Sequence, residues 1–196
     1  FSVGTKAAAT PAVYNNIGTS DDGAPSSGNF DGTNSYSAQA LQAVGITPGG
    51  TVAFNGVNFT WPSAASGSAN NYVANGQQVP VSPVSGATTL AFLGSASAGN
   101  SSGTAVITYT DGTTQAFTLG FNDWTLGGSG TDPVAYGDLV VATTAYRNTP
   151  TGPQTAHQPV ILYADVALQA GKTIQSVTLP TTVTGGQLHV FAVSTK

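Results

Sequence analysis

The sequence predicts an all-β fold, an antiparallel two-sheet β-sandwich of the jelly-roll kind with one short helix. Three observations predict it. Short β-rich runs alternate with clusters of Gly, Asn, Asp, Ser and Pro along nearly the whole chain, as in sandwiches and barrels. Two dipeptides, Asn55-Gly56 and Asp111-Gly112, each sit between apolar runs and mark hairpins. Only Ser37–Val44 reads as helix, with Gly45 placed as its stop.

Taken in order, residues 1–11 read as a linker or N-terminal extension, and 12–196 as a single sandwich domain. In Val52–Trp61 the Asn55-Gly56 turn sets Phe54 opposite Val57 and Val52 opposite Phe59. These four and Trp61 share a face, because side chains alternate along a strand. That face is apolar, so Trp61 is assigned to the core. The next hairpin spans Thr104–Phe121. A three-residue loop, Thr110-Asp111-Gly112, groups Ile107, Tyr109, Phe117, Leu119 and Phe121 on one face, with Gly112 in a left-handed bulge position. Phe117 is therefore expected to be buried. Further strands are expected at Thr88–Leu93, Asp138–Thr144, Val160–Leu168, Thr173–Leu179 and Leu188–Val193. Val160, Leu162, Ala164, Val166 and Leu168 should face the core, and Leu188–Val193, apolar on both faces, should be central. These runs suggest about eight to ten strands.

Composition narrows the function. Charged residues are only 6% of the 196, with four cations, eight Asp and no Glu. Four cations cannot form a basic stripe, which argues against nucleic acid and against anionic membrane surfaces. No apolar run of about 18 residues is present to span a membrane. Apolar residues at 40% are enough to offset chain entropy. The polar surface must then consist of neutral hydroxyls and amides, which suits a secreted or extracellular protein. The absence of Met at position 1 suggests a processed end or a boundary cut within a longer chain.

Several segments carry a resemblance. They are Tyr14-Asn-Asn-Ile-Gly-Thr-Ser-Asp-Asp-Gly23, Asn29-Phe-Asp-Gly32, Ser35-Tyr-Ser-Ala-Gln-Ala-Leu41 and Phe59-Thr-Trp-Pro62, followed by Leu119-Gly-Phe-Asn-Asp-Trp124, Ala145-Tyr-Arg-Asn148 and Gln187-Leu-His-Val-Phe-Ala192. Together, over about residues 12–194, they resemble a galactose-binding-like β-sandwich module. Such modules are appended to secreted bacterial glycoside hydrolases, including large α-mannosidases, and to surface proteins. The resemblance implies a lectin-like, carbohydrate-related role and a structural calcium ion.

Candidate sites follow. Sugars are held by an aromatic face with fixed polar groups around it. Trp124, Tyr136, Tyr146, Arg147 and Asn148 supply those types, and Tyr72 is a lesser candidate. If the strand parity of Phe121 continues, the Trp124 indole points away from the core. The same aromatics could instead close the ends of the sandwich, with Arg147 paired to an Asp. Calcium takes six to eight oxygens, and Asp21, Asp22 and Asp31, with Ser20 and Asn29, crowd oxygens into a Gly-rich loop. The alternative is that these carboxylates bind backbone amides in turns and cap the Ser37–Val44 helix.

An enzyme reading is poorly supported. Glycoside hydrolysis usually needs two carboxylates, and only Asp123 and Asp138 flank a cleft-like loop. Gly99-Asn-Ser101-Ser-Gly103 matches a nucleophile-elbow pattern but precedes a strand instead of a helix. His189 lies in an apolar strand and should be a satisfied core residue, while His157 should be solvated. Two histidines without cysteine do not make a structural zinc site. The expectation is a non-catalytic carbohydrate-binding accessory module. The alternative is a structural or adhesive unit joined through exposed strand edges.

Overall fold

The computed structural model describes residues 12–130 and 134–196. The expectation for residues 1–11 lies outside the described residues. Fourteen strands and one α-helix follow in chain order among the described residues. They are β1 (Thr19–Ser20), β2 (Ser35–Ser37), α1 (Ala38–Ala43), β3 (Thr51–Phe54), β4 (Val57–Thr60), β5 (Tyr72–Val73), β6 (Gln78–Pro80), β7 (Thr89–Tyr109), β8 (Thr114–Phe121), β9 (Leu139–Thr143), β10 (Arg147–Thr149), β11 (Gly152–Gln154), β12 (Val160–Ala167), β13 (Ile174–Thr178) and β14 (Thr184–Thr195). The strands exceed the expected number because several are two- or three-residue pairings too short to show periodicity.

The long strand β7 organises the sandwich. Its first half pairs with β12 on one side and β14 on the other, and its second half pairs with β8 and β13. Between the halves, Ala98 and Gly99 take positive φ values of 58° and 104°. This breaks the pleat, and the Asp123 carboxylate accepts the Gly99 N–H at 2.9 Å to fix the corner. The hydrogen-bonded sheet is thereby folded into two facing layers. One runs β5-β14-β7-β12-β9, and the other joins β8, the far half of β7, β13 and β6.

The main core lies between these layers. Leu90 and Phe92 of the first face Ile107, Tyr109, Leu119 and Phe121 of the second, together with Leu162, Val177 and Val190. Val160, Leu162, Ala164, Val166 and Leu168 all join this core, as their alternation predicts. Each fully buried Leu or Phe stabilises by roughly 1.5–3 kcal/mol.

Both hairpins have the predicted register. Phe54 pairs with Val57 and Val52 with Phe59 across a turn whose Asn55 and Gly56 both have positive φ. Tyr109 N–H donates to Thr113 O at 2.9 Å, closing the Thr110-Asp111-Gly112 loop with Gly112 at φ 83°. Phe117 does share a face with Ile107 and Tyr109, but it is only half-buried, packed on Phe92 near the rim. Its full burial is thus corrected, because β8 is an edge strand that pairs, among the described residues, with β7 alone.

The first layer is buried on both sides. A second core on its far face joins Leu93, Ile161, Tyr163 and Phe191 to Phe30, Tyr36, Leu41, Phe59 and Trp61. The β3–β4 hairpin, α1 and a small sheet ordered β1-β2-β10-β11 form this third cover. Ser37 caps α1 by accepting the Ala40 N–H at 3.1 Å. The helix ends in a paired bond set, Ile46 N–H to Leu41 O and Gly45 N–H to Gln42 O, that satisfies its last carbonyls. Cover on both faces explains why Leu188–Phe191 is buried without alternation.

Candidate functional site

Past Phe121 the chain leaves β8. Asn122 O accepts the Ala96 N–H at 2.8 Å, and the Trp124 N–H donates to Ala96 O at 2.7 Å, so residues 122–124 cross to the other half of β7. The crossing turns Trp124 into the second core. It is 2% exposed, with ring centroids 4.8 Å from Phe30 and 5.0 Å from Tyr36. The expected outward indole is therefore corrected: the strand ladder ends before Trp124, so strand parity does not reach it. No face of this ring is open to a sugar.

Tyr146, Arg147 and Asn148 lie at or in β10, which pairs with β2 and β11. Arg147 turns inward. Its guanidinium carbon sits 5.7 Å from the Trp124 ring, Nε donates to Gln154 Oε1 at 2.8 Å, and Asp31 lies 3.8 Å away. Asn148 is fully buried, with Nδ2 donating to Ser20 Oγ at 3.0 Å. The Tyr146 hydroxyl donates to Asp22 at 2.7 Å. The structure thus joins Trp124, Tyr146, Arg147 and Asn148 to the acidic loop in one internal network and leaves Asn148 out of reach of a ligand. Tyr72 is also in the core, 8% exposed.

The acidic loop does not fit a calcium ion. Asp21 accepts from Gly23 N–H at 2.8 Å and from Gln39 Nε2 at 2.6 Å. Asp22 accepts from the Ser37 and Tyr146 hydroxyls, one on each oxygen. Asp31 accepts from the backbone N–H groups of Thr33 and Asn34 and from Asn34 Nδ2. Every carboxylate oxygen has a protein donor, and among the described residues no three acidic or histidine side chains gather. Equal melting temperatures with calcium and with excess chelator are expected. Asp22→Ala should lower stability by about 1–3 kcal/mol, because it strands two donors. A chelator-induced fall in the parent's melting temperature would contradict this.

Tyr136 is the exception among the candidates. Ala135–Asp138 is a tight turn, closed by Asp138 N–H to Ala135 O at 3.2 Å, with Tyr136 at φ 59° and Gly137 at 76°. A bulky residue with positive φ is a genuine outlier. A Cβ built on Gly120 would stand 2.6–2.9 Å from Cγ and both Cδ atoms of Tyr136. Near-equal distances to these three atoms mean that the ring lies face-on over Gly120. Tyr136 is 50% exposed, so its other side is open. Two polar groups anchor the turn: Asn122 Oδ1 accepts the Ala135 N–H at 2.6 Å, and Asp138 Oδ2 accepts the Asn122 N–H at 2.7 Å. Sequence reasoning found Tyr136 but missed its seat, Gly120, since nothing local links the two.

Two buried titratable groups complete the picture. Asp138 is 4% exposed, and burial pushes its carboxyl up to about 7. Asp123, its expected companion, is occupied by Gly99, Thr125 N–H and the Thr125 hydroxyl. His189 is fully buried and held by Asn71 Oδ1 at 2.9 Å and the Ser97 hydroxyl at 3.0 Å. Asn71 donates through Nδ2 to Asn16 and Asn70, so its oxygen faces His189. Nδ1 therefore carries the imidazole proton and Nε2 accepts from Ser97. Burial pulls this histidine down to about 3, and it is the satisfied core residue the sequence suggests. His157 is half-buried, its Nδ1 3.0 Å from Gly128 O. A groove of about 790 Å³ lies elsewhere, between loops 83–88 and 167–174, and no aromatic side chain lines it among the described residues.

Residues 7–196 match the AziU2-like beta-sandwich domain. The chain belongs to that family. No curated protein matches it significantly. Membership of the AziU2-like family agrees with the sandwich and spans nearly all of the chain. It is coarser than the sugar-related resemblance in the sequence, because it assigns a fold and no ligand. Among the described residues, no helix of this AziU2-like domain is long and apolar enough to cross a membrane.

Proposed function

We propose that this domain is a non-catalytic carbohydrate-binding module of a secreted protein, with Tyr136 as its stacking residue. The observation that carries the reading is the Tyr136 ring, seated flat on Gly120 with its outer side in solvent. Aromatic rings offer apolar sugar faces a large, rigid surface. Strained backbone of this kind costs about 1–3 kcal/mol and persists at ligand clamps and other functional sites. The low charge of the chain agrees with a neutral ligand. The test is a glycan array followed by titration of a bound glycan. Tyr136→Ala should weaken binding by about 1–3 kcal/mol, and Gly120→Ala should do likewise by lifting the ring. Unchanged affinity in both folded variants would remove Tyr136 from the site.

A second reading is favoured by a separate observation. Leu139 and Val140 of β9 are 45% and 40% exposed, and β9 ends its layer with β12 as its strand partner. Such an edge, without charge or proline, suits strand addition in an assembly. A ladder of oligomers on a sizing column, without glycan binding, would favour it.

A further inference from the structure

We propose that the outer face of the β8–β7–β13–β6 layer is the binding surface for an extended, uncharged polysaccharide chain, with Tyr136 at one end. This rests on the carbohydrate reading above and extends it from one ring to a whole surface.

The alternation of these strands defines the face. Ile107 and Tyr109 of β7, Leu119 and Phe121 of β8, and Val177 of β13 point into the core. Their neighbours therefore point out. On β8 and β7 these include Thr118 opposite Thr104 and Thr114 opposite Thr108, while Thr178 of β13 stands opposite Val106. The hydroxyls of these five threonines have no protein partner among the described residues, and Thr104, Thr114 and Thr118 are exposed. Gly120 is also an outward position, so the Tyr136 ring that covers it closes one end of the same face.

The chemistry of the face selects its ligand. No charged residue occurs in β6, β8, β13 or the second half of β7. The nearest cation in sequence, Lys172, is paired with Asp111 at 3.2 Å beyond the hairpin end. Nucleic acids and anionic chains therefore meet no countercharge. Another protein sheet would need an apolar face, and here the outward side chains of β7 and β8 include only Val106 and Ala116 as apolar members. What remains is a surface of hydroxyls that both donate and accept, with one aromatic ring, which matches a neutral polyol. From Thr114 to Gly120 it runs six residue steps, about 20 Å at about 3.3 Å per step. That length suits several sugar rings better than one.

The proposal is tested by affinity electrophoresis of the folded chain in gels containing mixed-linkage glucan, galactomannan or arabinoxylan, followed by titration with oligosaccharides of one to six units. The variants are Tyr136→Ala, Thr104→Lys, Thr118→Lys and, as a control away from the face, Val84→Lys, each checked by circular dichroism. The proposal expects retardation by at least one polymer and at least tenfold tighter binding of the hexasaccharide than of the monosaccharide. It also expects at least a tenfold loss in Thr104→Lys or Thr118→Lys, and parent affinity in Val84→Lys. Length-independent binding that is lost only in Tyr136→Ala would overturn the extended surface and leave the stacking site standing. Loss in the threonine variants with Tyr136→Ala unchanged would keep the face and remove Tyr136. No retardation in any gel would overturn the extended surface, and an empty glycan array would overturn the carbohydrate reading as well. A dimer of the parent that dissociates in Thr104→Lys, without glycan binding, would make the face a protein interface instead.

Discussion

Trp124→Ala is expected to destabilise the domain by about 3–5 kcal/mol, the range for deleting a large buried aromatic. Trp124 lies against Phe30, Tyr36 and the Arg147 guanidinium. Its removal opens a cavity and leaves Arg147, whose environment is already partly desolvated, without its ring partner. The effect on binding should be no larger than the loss of folded protein explains. Urea unfolding of parent and variant measures the first quantity, and titration of any glycan ligand under folded conditions measures the second. A stability loss below about 1 kcal/mol, accompanied by lost binding, would restore Trp124 as a ligand contact.

The second large effect is on pH dependence, where two buried groups act in opposite directions. Burial raises Asp138 from 3.8 to about 7. Its stabilising contribution is fully present below about 3.8 and is lost as pH rises through about 7. Burial lowers His189 from 6.5 to about 3. Its contribution is present above 6.5 and is lost as pH falls towards 3. Between about pH 4 and 6.5, each group makes stability change by up to about 1.4 kcal/mol per pH unit, with opposite signs. The parent should therefore show nearly flat stability across this window. Asp138→Asn should keep the acceptor for the Asn122 N–H and remove the ionisation. Its stability should rise with pH between about 4 and 6.5, ending above that of the parent at pH 7. Urea midpoints measured at intervals of half a pH unit decide the matter. A variant less stable than the parent at pH 7 would show that the Asp138 carboxylate is held ionised.

The parts legible in the sequence were those governed by local chemistry. Asn55-Gly56 and Asp111-Gly112 fix their hairpins because each turn demands particular backbone angles that those residues supply. The alternation from Val160 to Leu168 revealed one core face because sheet parity is a property of consecutive residues. The third layer was not legible. Its hairpin showed one apolar face and its helix a short capped segment, but the strands of its small sheet are too short to show periodicity, and only the tertiary arrangement brings these elements together over Phe191 and Tyr163. Trp124 was misread for the same reason. The bond from its N–H to Ala96 is a long-range event, and parity counted from Phe121 does not survive a change of sheet. The acidic loop could be read as a ligand shell or as a set of turns, and the donors that decide it, Gln39 and Tyr146, lie far away in sequence. Tyr136 was legible as an aromatic beside Gly137, but its platform depends on Gly120, on another strand.

The sharing of β7 between both layers has a consequence for biosynthesis. Its partners β12, β13 and β14 all begin at or after Val160, and only β8 is made soon after it. On the ribosome, the first half of β7 therefore emerges long before either neighbour exists. Its N–H and C=O groups and the apolar run Leu90–Leu93 must wait until β12 and β14 are made before a native strand lies beside them. Such distant pairings form slowly, and a waiting apolar edge is open to association between nascent chains. A chain stopped before Val160 should retain the β7–β8 hairpin and be prone to aggregate, whereas synthesis through β14 lets both layers close around one strand.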